Sequence, residues 1–183
     1  MNLTPVFHMG LLNAWLLCIP LLIAFAIGAL NKELAKRMSD MTGNDTREKF
    51  FTVAASLAPY HFMIATVWTP FTPIKTLLYG GLAVYSIGVA SFIATLHVIA
   101  KTPLDKPFSD GVYRVSRNPL YVSATLIFFG ICLVTVNLVL FANLVILVML
   151  QHFMILAEEG VCREKYGVAF ERYMEKVPRY LLL

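Results

Sequence analysis

Formal charges are confined to short segments of this 183-residue chain, and four long stretches contain no Asp, Glu, Lys or Arg. These stretches are residues 1–31, 50–74, 76–100 and 120–157. A helix needs about 20 apolar residues to cross a bilayer, and only helices or closed barrels satisfy their backbone polar groups there. The stretches are continuously apolar and lack the alternation of transmembrane strands. The pattern therefore predicts an all-α, polytopic membrane bundle.

The lengths of the uncharged stretches set the number of crossings. Residues 11–30, 51–68 and 77–100 are each long enough for one span. Residues 120–157 are long enough for two, with Asn137 as the turn between them. We therefore predict about five transmembrane helices in one membrane domain, residues 1–183, in which residues 1–100 supply three N-terminal spans.

Five spans place the charged segments, residues 31–49, 101–119 and 158–183, on one face of the membrane. Since these segments contain every Lys and Arg except Lys75, the positive-inside rule makes this face cytoplasmic and leaves the N-terminus outside. The first span lacks a basic segment before it and a cleavage pattern after it, so we expect it to be retained. Contact with anionic lipid explains the net charge of +4, and no nucleic-acid partner is predicted.

The sequence GVYRVSRNPLY at residues 111–121 begins the fourth predicted span. Asn118 is predicted to cap the free N–H groups of this helix, and Pro119 is favourable at its first position. The helix N-terminus then offers a site for a carboxylate or phosphate. Charged and aromatic side chains nearby can contribute to binding: Tyr113, Arg114, Arg117 and Tyr121. The alternative is that they are ordinary interfacial anchors.

The sequence EEGVCREKYGVAFERYMEKVPRY at residues 158–180 follows the fifth predicted span. At least one carboxylate of Glu158 and Glu159 is expected near the hydrocarbon boundary, facing protein rather than lipid. Such a pair suits a cationic ligand. Beyond it, apolar residues recur at helical spacing and predict an amphipathic helix along the membrane surface: Tyr166, Phe170, Tyr173 and Val177. Alone, this stripe is typical of a plain amphipathic anchor.

Together the two motifs provide an anion site, aromatic rings and carboxylates at one membrane edge. S-adenosylmethionine requires such a set, because it carries a carboxylate, an adenine, hydroxyls, and cationic ammonium and sulfonium groups. A nucleotide or a lipid headgroup also fits some of these side chains. The residues by themselves leave these ligands open.

The pattern G-x-Y-R-x-x-R-N-P-x-Y, an apolar hairpin, and then E-E-x-x-x-x-x-x-Y-G-x-x-(F/Y)-x-x-Y-x-x-x-V-P-R resembles a family of integral-membrane methyltransferases. This family includes isoprenylcysteine carboxyl methyltransferase and the phospholipid methyltransferases, and the resemblance extends from Leu104 onward. It implies a helical enzyme whose cofactor-binding half, residues 101–183, encloses S-adenosylmethionine beneath a cytoplasmic lid. A lipophilic acceptor would arrive from the bilayer.

The resemblance also implies roles for individual positions. The cofactor pocket would be formed by Tyr113, Arg117, Asn118, Pro119 and Tyr121. Glu158 and Glu159 would close this pocket, and Tyr173 and Arg179 would belong to the lid.

Two positions depart from the family pattern. Many relatives have His where this chain has Asn118, which retains amide hydrogen bonding but has no titrating imidazole. Isoprenylcysteine-type enzymes carry an Arg shortly before the Glu pair, where this chain has Gln151 and His152. The acceptor group therefore stays open among amine, thiol, hydroxyl and carboxylate groups on hydrophobic molecules.

The predicted reaction is methyl transfer from S-adenosylmethionine to a lipophilic acceptor, in which alignment supplies most of the catalysis. An amine or thiol acceptor needs a base, and His152 and Glu159 are the predicted catalytic residues. A histidine near a helix end can also simply be solvated. No zinc signature, P-loop or dinucleotide motif occurs, and the three cysteines lack metal-ligand spacing, so no metal is predicted.

Two alternatives remain from the sequence. Sterol-reductase-type membrane enzymes share a similar C-terminal sequence and bind a nicotinamide cofactor, but they are much longer. A non-catalytic lipid-binding membrane subunit would use both motifs only to anchor helices. The oligomeric state is left open.

Overall fold

The structure of the protein is a computed structural model that describes residues 9–30, 46–103 and 107–181, without the side chains of residues 28–30 and 46–48. Within these ranges every regular element is a helix and no strand occurs, which confirms the all-α class. Most of the predicted segment at residues 31–49 lies outside the described residues, as does Leu104, where the family resemblance begins.

The described chain forms six α-helices and two short 3₁₀ helices. In chain order they are the 3₁₀ helix Ala14–Cys18, α1 (Ile19–Leu30), α2 (Thr46–Thr66), α3 (Lys75–Lys101), the 3₁₀ helix Gly111–Arg114, α4 (Pro119–Thr135), α5 (Leu138–Tyr166) and α6 (Val168–Lys176).

Two of these helices, α3 and α5, are long and apolar enough to cross a membrane by length and composition. The segment Ala14–Ile27 and helix α4 are apolar but shorter. Helix α2 is less apolar, since it begins at Thr46 within a charged segment. It also contains Pro59 in its interior. The described residues therefore give two candidate spans, where the sequence predicts about five.

The hairpin of α4 and α5 follows the prediction at its start and at its turn. Helix α4 begins at Pro119. The chain reverses after Thr135, and the Asn137 side chain accepts hydrogen bonds from the backbone N–H groups of Val139 and Leu140 at 2.9 and 3.3 Å. The turn predicted at Asn137 is therefore confirmed. We call this end of the bundle the turn end, and the end that carries Asn118 the site end.

Helix α5 extends beyond its predicted end. It continues past the two glutamates to Tyr166 and stops at Gly167, whose φ of 51° glycine adopts at little cost. The predicted single amphipathic helix is thus wrong in its boundaries, because Tyr166 ends α5 whereas Phe170 and Tyr173 lie on α6. Apolar periodicity continues through the break and hides it. Helix α6 is itself amphipathic, with Phe170 buried and its neighbours Glu171 and Arg172 exposed.

Glycines allow α3 and α4 to approach closely. A Cβ atom added at Gly81 would lie 2.9 Å from the carbonyl oxygen of Gly130. One added at Gly88 would lie 2.8 Å from the backbone nitrogen of Ile127. Such distances are too short for a real side chain, so small residues at these positions are what makes the α3–α4 contact possible.

Helices α2 and α5 form the other extensive contact of the bundle. Their contacts include the stacked rings of Phe51 and Phe153, with centroids 4.6 Å apart, and a 2.8 Å hydrogen bond between His61 and Asn143. Helices α4 and α5 pack less extensively on each other. The bundle therefore consists of two helix pairs, and the line where α4 faces α5 is the seam between them.

Candidate functional site

The start of helix α4 orients Asn118 towards the rest of the site. Asn118 occupies the N-cap position, but its side chain accepts no hydrogen bond from the helix, so the predicted capping is wrong. Its Nδ2 atom donates instead to Glu159 Oε1 at 3.1 Å and to the backbone oxygen of Arg179 at 3.3 Å. The Asn118 side chain therefore bonds to the distant Glu159 carboxylate instead of to the N–H groups of its own helix. The first backbone N–H groups of α4 lack a side-chain cap.

Glu159 on α5 is the centre of a buried ionic cluster. It accepts from Arg117 Nε at 3.2 Å and from Arg179 Nε and Nη2 at 3.1 and 2.9 Å. The side chains of Arg117 and Glu159 are 9% and 7% exposed. We call the four residues Arg117, Asn118, Glu159 and Arg179 the tail clamp. The hydrogen bond to Glu159 raises the pKa of Arg179, so this guanidinium stays charged.

The tail clamp fastens the chain after α6 to the loop before α4. Arg117 Nη1 donates to the backbone oxygens of Met174 and Val177 at 3.0 and 2.9 Å, and its backbone N–H donates to Pro178 at 2.9 Å. Ser116 Oγ donates to the backbone oxygen of Arg179 at 3.0 Å. By contrast, Arg114 is exposed and pairs only with Asp110 in the described chain. Arg117 is therefore a structural link, and Arg114 lies away from the cluster.

A cavity, the first cavity, lies beside the clamp among α3, α4, α5 and α6. Seven of the residues predicted to bind the cofactor line it: Tyr113, Arg117, Asn118, Tyr121, Glu158, Glu159 and Tyr173. Pro119 is buried at the first position of α4 and does not line the cavity. Arg179 does not line it either, but it contacts two residues that do, Glu159 through its guanidinium and Asn118 through its backbone oxygen. The structure thus brings the two sequence motifs into one site.

Glu158 and Glu159 have different surroundings although they are adjacent. Glu158 Oε1 accepts a hydrogen bond from the hydroxyl of Tyr121 at 2.6 Å. In the part of the chain that the structure describes, no cation contacts Glu158, whereas Glu159 pairs with both Arg117 and Arg179. Both glutamates line the first cavity, but Glu159 is neutralised by the two guanidinium groups and Glu158 has no cation among the described residues.

Aromatic rings form much of the remaining wall. The Tyr173 hydroxyl donates to the backbone oxygen of Tyr113 at 2.7 Å, and the rings of Phe108 and Tyr113 lie 5.2 Å apart. Burial raises the pKa of Tyr113 and of Tyr173, so both hydroxyls stay neutral at physiological pH. Among the described residues, the wall therefore combines neutral rings with the carboxylate of Glu158, which no described cation contacts.

His152, the other predicted catalytic residue, lies outside the first cavity. It lines a second cavity, on the other side of Tyr121, and one of its ring nitrogens, Nδ1, lies 2.7 Å from the Tyr180 hydroxyl. The structure therefore separates His152 from Glu159, and neither the clamp nor the first cavity includes the imidazole.

Sequence reasoning missed several lining residues of the first cavity, namely Leu96, Ile99, Phe108 and Cys162. One of them had a usable signal, because Glu158, Cys162 and Tyr166 follow each other at a spacing of four residues and therefore share one helix face. The others come from α3 and the loop after it. Only the tertiary packing of α3 against α4 brings those residues to the site.

Comparison with known protein families agrees with the two motifs. Residues 79–169 match the family model described as Phospholipid methyltransferase. The match runs from α3 through the hairpin and the glutamate pair to the start of α6. No curated protein and no solved structure matches the chain. The family resemblance predicted from the motifs is confirmed.

Proposed function

We propose that this chain, whose residues 79–169 match the Phospholipid methyltransferase family model, transfers a methyl group from S-adenosylmethionine to a lipophilic acceptor. The family match indicates a methyltransferase that acts on lipids. The cofactor, the position of its site and the side of the membrane are the further parts of the proposal.

The contrast between the two adjacent carboxylates carries the proposal. Glu159 is neutralised within the tail clamp, whereas Glu158 has only the Tyr121 hydroxyl as a described partner. A carboxylate in a largely apolar cavity is costly without a cation, and a cationic ligand removes that cost. We therefore assign Glu158 to the ammonium group of the cofactor, and we assign Glu159 a positioning role.

The other side chains of the first cavity fit the rest of this cofactor. The rings of Phe108, Tyr113 and Phe170 offer surfaces for an adenine and for a sulfonium. The first amides of α4, which lack a side-chain cap, suit the carboxylate. When bound, S-adenosylmethionine would supply an electrophilic methyl group, so these residues need to align and desolvate rather than attack.

The first cavity is closed by α6 and the residues that follow it. Its volume is about 110 Å³, which is less than the roughly 300–1,000 Å³ of typical ligand pockets. A ligand the size of a nucleoside therefore requires α6 and the following residues to move outward. In the proposal, the hydrogen bonds and ion pairs of the tail clamp break when the cofactor enters and form again afterwards. This agrees with the predicted lid role of Tyr173 and Arg179.

The proposed topology keeps five crossings and a cytoplasmic site end. Helices α3 and α5 satisfy the length and hydropathy of a span, and the shorter apolar segments Ala14–Ile27 and α4 lie in the same bundle. The basic residues of the described site end support a cytoplasmic position. The proposal comprises a single membrane domain that contacts membrane lipids and a lipophilic acceptor and requires no nucleic acid.

Titration of the purified full chain with S-adenosylhomocysteine and with NADPH tests the proposal. We expect S-adenosylhomocysteine to bind, and Glu158→Gln to weaken its affinity roughly 10- to 100-fold because a charge-assisted contact is lost. Glu164→Gln, on the exposed face of the same helix, is the matched control and leaves the affinity unchanged. Binding of NADPH alone would support a reductase, and binding of neither ligand a non-catalytic role.

A further inference from the structure

The second cavity lies at the seam between α4 and α5, next to the proposed cofactor site. Its volume is about 400 Å³, within the range of ligand pockets. Its walls are largely apolar side chains of both helices, among them Val122, Leu126, Val148 and Ile155. At the site end, this cavity is closed by Tyr180, which lies in the chain after α6.

Hydrogen-bonding groups are concentrated at this closed end. Thr125 Oγ1 donates to Gln151 Oε1 at 3.4 Å, and Gln151 is only 6% exposed. Nδ1 of His152 contacts the Tyr180 hydroxyl at 2.7 Å. Among the described residues, the amide nitrogen of Gln151 and the second ring nitrogen of His152 have no hydrogen-bond partner. Both atoms belong to side chains that line the cavity.

No Asp, Glu, Lys or Arg is among the described residues that line the second cavity. An anionic or cationic head group buried there would lack a countercharge among these described residues, and burial without a countercharge is strongly unfavourable. An uncharged group that both donates and accepts hydrogen bonds matches the amide and imidazole instead. This cavity therefore differs in polarity from the first cavity, which contains the unpaired Glu158.

Two residues connect the second cavity to its surroundings. Tyr121 lines both cavities, and its hydroxyl donates to Glu158. A head group beside Tyr121 is therefore next to the proposed cofactor site. Val148 lines the cavity and is 40% exposed, so we infer that the cavity wall at Val148 lies near the outer surface of α5. An alkyl chain that passes Val148 would reach lipid.

We propose that the second cavity binds the methyl acceptor, and that this acceptor is a lipophilic molecule whose head group is an uncharged hydroxyl or thiol. This inference rests on the proposed function and narrows its substrate class. In the transfer, the acceptor oxygen or sulfur bonds to the methyl carbon as the carbon–sulfonium bond breaks, and the acceptor proton passes to His152. Carboxylate and phosphate head groups are not assigned to this cavity, because its described lining offers them no countercharge.

Photo-crosslinking tests the binding site without relying on activity. The full chain in lipid nanodiscs is irradiated with a long-chain alcohol that carries a diazirine in its alkyl chain, and with the fatty acid of equal length. We expect the alcohol to label peptides from the cavity-lining parts of α4 and α5. Val148→Phe fills the cavity and reduces this labelling about tenfold, whereas Val145→Phe, on the same helix but outside the cavity, does not. Equal labelling by the fatty acid, or equal effects of both variants, would overturn the proposal.

The chemistry of the product separates this inference from the proposed function. Methyl-labelled S-adenosylmethionine is incubated with the protein and a total membrane-lipid extract. We expect an ether or thioether product that keeps its label in alkali and binds no ion exchanger. Label released as methanol identifies an ester, and a charged product identifies a phospholipid amine; either overturns the acceptor assignment but supports methyl transfer. Absence of any labelled product overturns the proposed function and this inference together.

Discussion

The two ends of the α4–α5 hairpin use the same residue type in different ways. At the turn end, Asn137 caps its own helix through the N–H groups of Val139 and Leu140. At the site end, Asn118 occupies the equivalent N-cap position but bonds to Glu159 and to the backbone of Arg179. Asn137 accepts hydrogen bonds from its own helix, whereas Asn118 connects segments that are distant in the sequence.

The two ends differ in how completely their described polar groups are satisfied within the chain. The turn end is complete within a few residues, and a backbone hydrogen bond from Thr72 to Val134 at 2.7 Å attaches it to the rest of the bundle. The site end leaves the α4 amides without a side-chain cap and one carboxylate, Glu158, without a described cation. The polar groups that are left without such partners at the site end are the ones that the proposed cofactor would contact.

Among the variants that test the difference between the two ends, Glu159→Gln should have the largest effect on stability. This change leaves the guanidinium groups of Arg117 and Arg179 without their carboxylate, and breaking such a buried cluster costs about 3 kcal/mol of stability. We expect a lower thermal midpoint in detergent and faster tryptic cleavage within α6. Glu158→Gln, one residue away, should change neither readout. Equal destabilisation by both variants would contradict the division of roles between the two carboxylates.

Replacing Asn137 or Asn118 by alanine should have a smaller effect on stability. Asn137→Ala removes a helix cap and should cost about 1 kcal/mol of stability without changing S-adenosylhomocysteine affinity. Asn118→Ala removes a hydrogen bond to a charged group, worth about 1.5 kcal/mol, and should loosen the tail and weaken that affinity. Thermal unfolding and equilibrium binding of the two variants separate these effects. If both variants behave alike in binding, the two ends are not functionally distinct.

The smallest effect is expected from Arg114→Ala. The Arg114 and Asp110 side chains are 74% and 77% exposed, and such surface pairs contribute at most about 1 kcal/mol. Stability and cofactor affinity should therefore stay near those of the unchanged protein, as measured by the same two assays. A loss of affinity comparable to that of Asn118→Ala would show that the anion contact lies on the 3₁₀ helix rather than at the start of α4.

Local sequence signals predicted the hairpin but not the partners at its site end. Pro119 and Asn137 act through their own backbone neighbours, so the start of α4 and the turn could be read from the sequence. The capping preference of Asn118 is also local, but a buried carboxylate from α5 outcompetes it. Only the folded structure shows that Glu159 pairs with both guanidinium groups, whereas Glu158 accepts a hydrogen bond from Tyr121 and contacts no described cation.

The end of α5 illustrates a second limit of the sequence. The apolar periodicity of residues 166–177 is continuous, whereas the backbone breaks at Gly167. The glycine was visible in the sequence, and a helix-ending interpretation would have placed the break correctly. The placement of His152 in a separate cavity had no comparable signal, because it depends on how α4 faces α5 across the seam.

In the proposed reaction, the exposed position of Val148 at the wall of the second cavity bears on how the rate depends on the supply of acceptor. A molecule that enters sideways between helices is supplied by the surrounding leaflet rather than by the aqueous phase. Turnover should then follow the mole fraction of acceptor among the lipids, so that diluting the acceptor with inert lipid slows the enzyme even when the amount of acceptor per unit volume is constant.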